Sequence, residues 1–112
     1  MATFITIGYG DKKGYDNTPE RIRNAAHEHD TSLAAQGVVM GMAGEPVQVR
    51  NTHDTEVQKK MGAFMSADLP LAGFAIIEAD TIEEAIAMVS KSPCAVAGGV
   101  VEIWPLLTHN EN

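Results

Sequence analysis

Residues Gly73 to Leu107 read GFAIIEADTIEEAIAMVSKSPCAVAGGVVEIWPLL. In Gly73–Ala79, Phe74 and Ile76 fall on one face and Ala75 and Ile77 on the other, the period of two that marks a strand. Thr81 and Glu84 then form a capping box that satisfies the free amides of a helix's first turn. Ile82, Ala85, Ile86 and Val89 recur at i, i+3, i+4 and i+7, which predicts the buried stripe of that helix, with Ser92-Pro93 as its stop. The last strand, Gly99 to Trp104, places Val100, Glu102 and Trp104 on one face and Val101 and Ile103 on the other. Both strands are apolar on both faces, and two short helices cover only one side of a sheet. The second side predicts a partner surface.

Working outward, Thr3 to Tyr9 places Ile5, Ile7 and Tyr9 on one face and Phe4 on the other, which predicts a first strand ending in Gly8-Tyr9-Gly10-Asp11. Thr18-Pro19 reads as an N-cap followed by a proline at the first helical position, where its missing N–H costs nothing. The helix this opens runs to about Gln36, with Gly37 as its left-handed stop. Its stripe is Ile22, Ala25, Ala26 and Leu33; His29 falls inside the stripe and His27 points well away from it. Val38–Met42 reads as a second strand. Val47–Arg50 and Glu56–Gln58 read as a hairpin about the turn Asn51–Asp54. Met61 to Ala72 has no clean period and contains Pro70, so it is expected to form a loop or arm, with Met61, Phe64, Met65 and Leu69 seeking a partner surface.

The order β-α-β, hairpin, β-α-β predicts an α+β fold of the split β-α-β or ferredoxin-like plan, with an antiparallel sheet and both helices on one face. At 112 residues the chain fits one domain of about 100 to 150 residues, expected over residues 1–107, with 108–112 as a polar tail. The uncovered sheet face predicts a symmetric homodimer, joined through that face and the 61–72 arm. A net charge of −7 and the lack of a Lys/Arg cluster argue against nucleic acid. A single cysteine, Cys94, excludes an intramolecular disulfide. The start MATFITIGYGDKK lacks the basic and longer apolar stretches of a signal peptide, and no run approaches a membrane span, so a cytoplasmic location is expected.

Several residues resemble those of the YCII-related domains, in particular the branch named for a DGPF tetrapeptide. Tyr9-Gly10-Asp11, Ala43-Gly44-Glu45-Pro46 and Val47–Arg50 are similar to that branch. Met61-Gly62-Ala63-Phe64 stands where DGPF would, and Gly73-Phe74, IIEADTIEEAIAMV and GGVVEIWPL follow at the family's spacing. The resemblance covers nearly the whole chain and implies a small bacterial-type member of the dimeric α+β barrel superfamily that binds a small organic molecule. Some relatives resemble enzymes of aromatic degradation. Met61 and Ala63 replace the aspartate and proline of the tetrapeptide. In the family's other branch a helix-one histidine pairs with an aspartate just before a proline after helix two. Here Ala26 and Ser92 stand at those positions.

His29 is the candidate catalytic base, with Glu78 or Glu102 as an orienting acid. Tyr9, Arg50, Phe64, Glu78 and Glu102 are the candidate ligand-binding residues, in a cleft between sheet and arm. The competing reading is a non-catalytic binding or interaction module. His27 and His29 diverge by about 200° around a helix and cannot share a metal ion. No metal or cofactor is expected. Gly8 to Gly14 reads as a strand-to-helix turn rather than a dinucleotide loop, because its third glycine is one place late. Cys94 is expected to be an inert small apolar residue, and Trp104 an anchor of core or dimer packing.

Overall fold

A computed structural model describes residues 1–107, so the polar tail expected at 108–112 lies outside the described residues. The chain runs β1 Ala2–Tyr9, α1 Lys12–Asp16, α2 Glu20–Ala35, β2 Val39–Met42, β3 Val47–Arg50, a 3-10 turn at Thr52–Asp54 and β4 Gln58–Met61. It continues through β5 Leu71–Ala79, α3 Ile82–Val89, α4 Pro93–Val96 and β6 Val100–Pro105. Four strands form one sheet in the order β2-β5-β1-β6, every neighbouring pair antiparallel. Without the separate β3-β4 hairpin, this is the ferredoxin-like plan expected from the element order.

The core forms where the sheet meets α3. Phe4 of β1 lies opposite Ile77 of β5, and Phe4, Ile77 and Ala79 pack with Ala85 and Val89 in one buried cluster. Alternation sends the neighbouring side chains to the opposite face, away from the helices. Phe74, Ile76, Val100 and Trp104 are there 47%, 49%, 55% and 55% exposed. Trp104 is therefore no part of the core of this chain.

Local chemistry explains where the elements begin and end. Thr81 Oγ1 accepts from the Glu84 amide at 3.1 Å. The Glu84 carboxylate accepts from the Asp80 amide at 3.3 Å, so the capping box closes one residue earlier than its usual form. Gly37, at φ +96°, ends α2 in the left-handed conformation that glycine adopts without strain.

Several expectations need correction. Pro19, at φ −53° and ψ 140°, is the cap residue of α2, while the Thr18 hydroxyl donates back to the Gly14 carbonyl at 2.8 Å. That bond ties α2 to α1, a short helix capped by Asp11 through the Gly14 amide at 2.8 Å. Ser92-Pro93 does more than stop α3: it opens α4, with the proline in the first turn. Ile82, Ile86 and Ala25 are exposed although their spacing suggested burial. The second hairpin strand is Gln58–Met61, not Glu56–Gln58. His53 and Asp54, both at φ 57°, lengthen the turn. The expected arm is shorter, because Leu71 and Ala72 belong to β5. No described helix is long and apolar enough to cross a membrane.

The α4-β6 junction allows no side chain at Gly99, where a Cβ would collide with the Tyr9 carbonyl oxygen and lie 2.7 Å from that of Cys94. Gly99→Ala is expected to cost about 3 kcal/mol, because backbone must move to relieve overpacking. Gly37→Ala strains one dihedral in open space and is expected to cost about 1 kcal/mol. Thermal unfolding of both variants checks this order.

Candidate functional site

Two concavities flank the sheet, one on each side. The first, about 1040 Å³, lies between the hairpin, the segment after it and the sheet's outer face, where Tyr9 and Phe74 form its floor. The second, about 570 Å³, lies between the sheet and the helical layer, with Leu33 and Val89 supplied by helices and Thr6 and Ala75 by strands. Both volumes fall in or near the range typical of small-molecule sites, about 300 to 1,000 Å³.

The outer cleft brings together three of the residues singled out from the sequence, Tyr9, Arg50 and Phe64. The Arg50 guanidinium lies over the Phe64 ring, 5.7 Å from its centroid, close enough for a cation–π contact. Phe64 is otherwise 76% exposed, so the hairpin holds the ring from one side only. Arg50 is the one basic side chain in the cleft wall and Glu45 the one acidic side chain.

Glu102 is a neighbour of this cleft rather than part of its wall. It lies opposite Ile7 on the outer face, and its Oε1 accepts a hydrogen bond from the Tyr9 hydroxyl at 3.4 Å. Burial, then the Glu102 charge and the bond to it, hold the Tyr9 phenol above its ordinary pKa. Glu78 lies opposite Thr3, at the far end of β1 from Tyr9. It is exposed and lines neither cavity.

His29 stands on the other side of the sheet from Tyr9. Its Nε2 donates to the Met88 carbonyl at 2.6 Å, tying α2 to the last turn of α3. This is the short bond of a half-buried histidine that joins two helices. His29 lines neither cavity. His27 is exposed, as expected, and its Nε2 shares a 2.7 Å hydrogen bond with the Tyr15 hydroxyl.

The helix-side cavity contains chemistry that the sequence reading passed over. Tyr15, His27, Asp30, Ser92 and Cys94 contribute to its wall. A signal for Asp30 was available: Ala26, Asp30 and Leu33 are spaced i, i+4 and i+7, and both apolar members are buried. Burial raises the Asp30 carboxyl above its ordinary pKa, against the lowering influence of His29 and then His27. Burial also raises the Cys94 thiol, and the Asp30 charge raises it further. Ser92 Oγ donates to the Val89 carbonyl at 2.7 Å, an interaction that closes the end of α3. Among the described residues no group of three His, Cys, Asp or Glu side chains is placed to hold a metal ion.

The model of the YCII-related domain matches residues 2–108, nearly the whole chain. The chain belongs to the YCII-related domain family. No curated protein matches it.

The coupling of Asp30 to Cys94 has a measurable consequence. The folded thiol titrates above the unfolded one, so its contribution to stability is complete below the ordinary thiol pKa and is lost as pH rises through the folded value. Asp30→Asn removes the charge that opposes the thiolate. Iodoacetamide is expected to alkylate Cys94 faster in this variant than in the parent at pH 8, and equally fast in both once denatured.

Proposed function

We propose that the protein is a symmetric homodimer that binds a small organic molecule in the cleft between the sheet's outer face and the hairpin arm. The observation that carries this reading is the apolar outer face continuous with the cleft, in which Phe74 belongs to both. Fully burying a side chain such as Phe74, Ile76 or Trp104 stabilises by roughly 1.5 to 3 kcal/mol each. A second copy packed face to face supplies that burial by closed two-fold symmetry. Met61, Phe64 and Met65, exposed at 64%, 76% and 49% on and just beyond the hairpin, extend the same surface.

The ligand class follows from the wall. Aromatic and aliphatic side chains dominate, and Arg50 offers a planar cation suited to a carboxylate. A small aromatic acid fits both features. A non-catalytic binding module is the form of this reading favoured by His29, whose Nε2 is already committed to Met88. Ala26 and Ser92, at the positions of the family's histidine and aspartate, support the same form.

The dimer is tested by sedimentation, which is expected to show a species of twice 12.0 kDa at micromolar concentration. Ile76→Lys, which places a charge in the middle of the outer face, is expected to shift it to monomer. A parent that sediments as a monomer refutes the interface.

Ligand binding is tested with salicylate by calorimetry or NMR titration. Arg50→Ala is expected to weaken it by about tenfold, the loss of one charge-assisted contact. His29→Ala is expected to leave salicylate affinity unchanged while costing about 1 to 3 kcal/mol of stability, as the Met88 carbonyl loses its donor. Loss of binding in the His29 variant at unchanged fold would return His29 to the site.

A further inference from the structure

The helix-side cavity has its own polar wall, separate from the cleft proposed above, and its charges are not balanced within the chain. Around it, one polar group after another already has a partner. Lys12 Nζ pairs with Asp16 at 2.6 Å, and the Asp11 carboxylate accepts from the Gly14 amide at 2.8 Å. His27 shares its Nε2 with Tyr15 at 2.7 Å, and the His29 Nε2 donates to Met88 at 2.6 Å. Ser92 Oγ donates to Val89. The Asp30 carboxylate has no such partner among the described residues, although it is half-buried and lines the cavity.

We propose that the helix-side cavity is a second small-molecule site, one that takes a compact apolar amine with its ammonium against Asp30 and its apolar body between Leu33, Met40, Val89 and Pro93. Size, lining and charge support this occupant. At about 570 Å³ the cavity admits a molecule the size of a phenylalkylamine. Thr6, Ala75 and Ile77 contribute a largely apolar floor that an aromatic or alkyl body would cover.

An ammonium returns to the Asp30 carboxylate both a hydrogen bond and an opposite charge, whereas a neutral hydroxyl returns the hydrogen bond alone and an anion is repelled. The cationic groups around the cavity do not substitute for the ammonium, and the Arg23 guanidinium lies over the Tyr15 ring, 5.1 Å from its centroid. Lys12 points to Asp16 with its side chain 88% exposed, and the two nearby histidines make the bonds just described. The raised carboxyl of Asp30 is what an unpaired, partly desolvated acid shows. A chain of net charge −7 also favours the approach of a cation over an anion. Ser92, at the family's aspartate position, lines the same cavity, but the contact to the ammonium rests on Asp30, one turn along α2 from Ala26.

The test compares 2-phenylethylamine with 2-phenylethanol, matched in shape and differing in charge, by following amide shifts in an NMR titration of the full chain. The amine is expected to bind at least about tenfold more tightly, the worth of the opposite charge that the alcohol lacks. Its largest shifts are expected at Gly8, Gly73, Asp30 and Cys94. Asp30→Asn is expected to reduce the amine to the level of the alcohol, whereas Arg50→Ala in the other cleft leaves it unchanged. Equal binding of amine and alcohol by the parent overturns the proposal, and so does no binding of the amine up to about 10 mM. Shifts confined to the hairpin and the segment after it also overturn it. Because the amine–alcohol comparison is made on the parent chain, the result stands even if the Asp30 variant folds poorly.

Discussion

Ile77 and Ala79 are sealed against Ala85 and Val89, and the register that puts them there governs the rest of the molecule. In a strand the side chains alternate, so burying one set commits the other set to the opposite face. With Ile77 inward, Ile76 and Phe74 must point outward. β1 transmits the same choice to β6, because Phe4 lies opposite both Ile77 and Pro105 and Ile5 opposite both Ile76 and Trp104. A slip of one residue would turn the outer apolar set into the core and expose Phe4. The uncovered face is therefore the necessary counterpart of the packing that holds α3 in place.

The same division separates the chemistry of the two sides. On the outer side the cleft wall carries Arg50, at the end of a hairpin strand, and Glu45. On the helix side the wall carries Asp30, set between two buried positions of α2. Cations on long side chains reach solvent easily, so Arg50 is held only by its contact with Phe64. A short carboxylate on a packed helix has no such freedom, and its desolvation follows from its place on the helix. The two concavities thus differ in their charged groups, Arg50 and Glu45 in one and Asp30 in the wall of the other. His29 belongs to neither, since its bond to Met88 makes it a strut between helices.

Legibility in the sequence tracked how local the determining interaction was. The strand periods, the Thr81–Glu84 box and the Gly37 stop involve residues within a few positions of one another, and all appear in the structure. The cap at Thr18 failed because α2 begins one residue later, with Pro19 in the cap position and the Thr18 hydroxyl turned to the Gly14 carbonyl of α1. Helix α1 escaped notice because Lys12–Asp16 is five residues with no apolar stripe. Ile82 and Ile86 obeyed the helical spacing yet stay exposed, since α3 turns Ala85 and Val89 toward the sheet and leaves its flanks free. Of the candidate site residues, Tyr9, Arg50 and Phe64 converge, whereas Glu78 lies at the far end of the sheet. The hairpin register that places Arg50 depends on the left-handed turn at His53 and Asp54, a conformation that His and Asp adopt more often than most residues but that their identity alone does not fix.

Composition and periodicity by themselves determined an α+β chain with a sheet apolar on both sides and the order of its strands and two longer helices, because each rests on side-chain patterns of short range, while the family resemblance rested on motifs such as Gly73-Phe74. Only the tertiary structure decided which apolar face is sealed by helices, that His29 spends its Nε2 on Met88, and that Asp30 rather than a histidine is the unmatched group of the helix-side cavity. Those outcomes depend on contacts between residues far apart in the chain, 59 positions for His29 and Met88 and 73 for Phe4 and Ile77, and such contacts are set by how the elements pack.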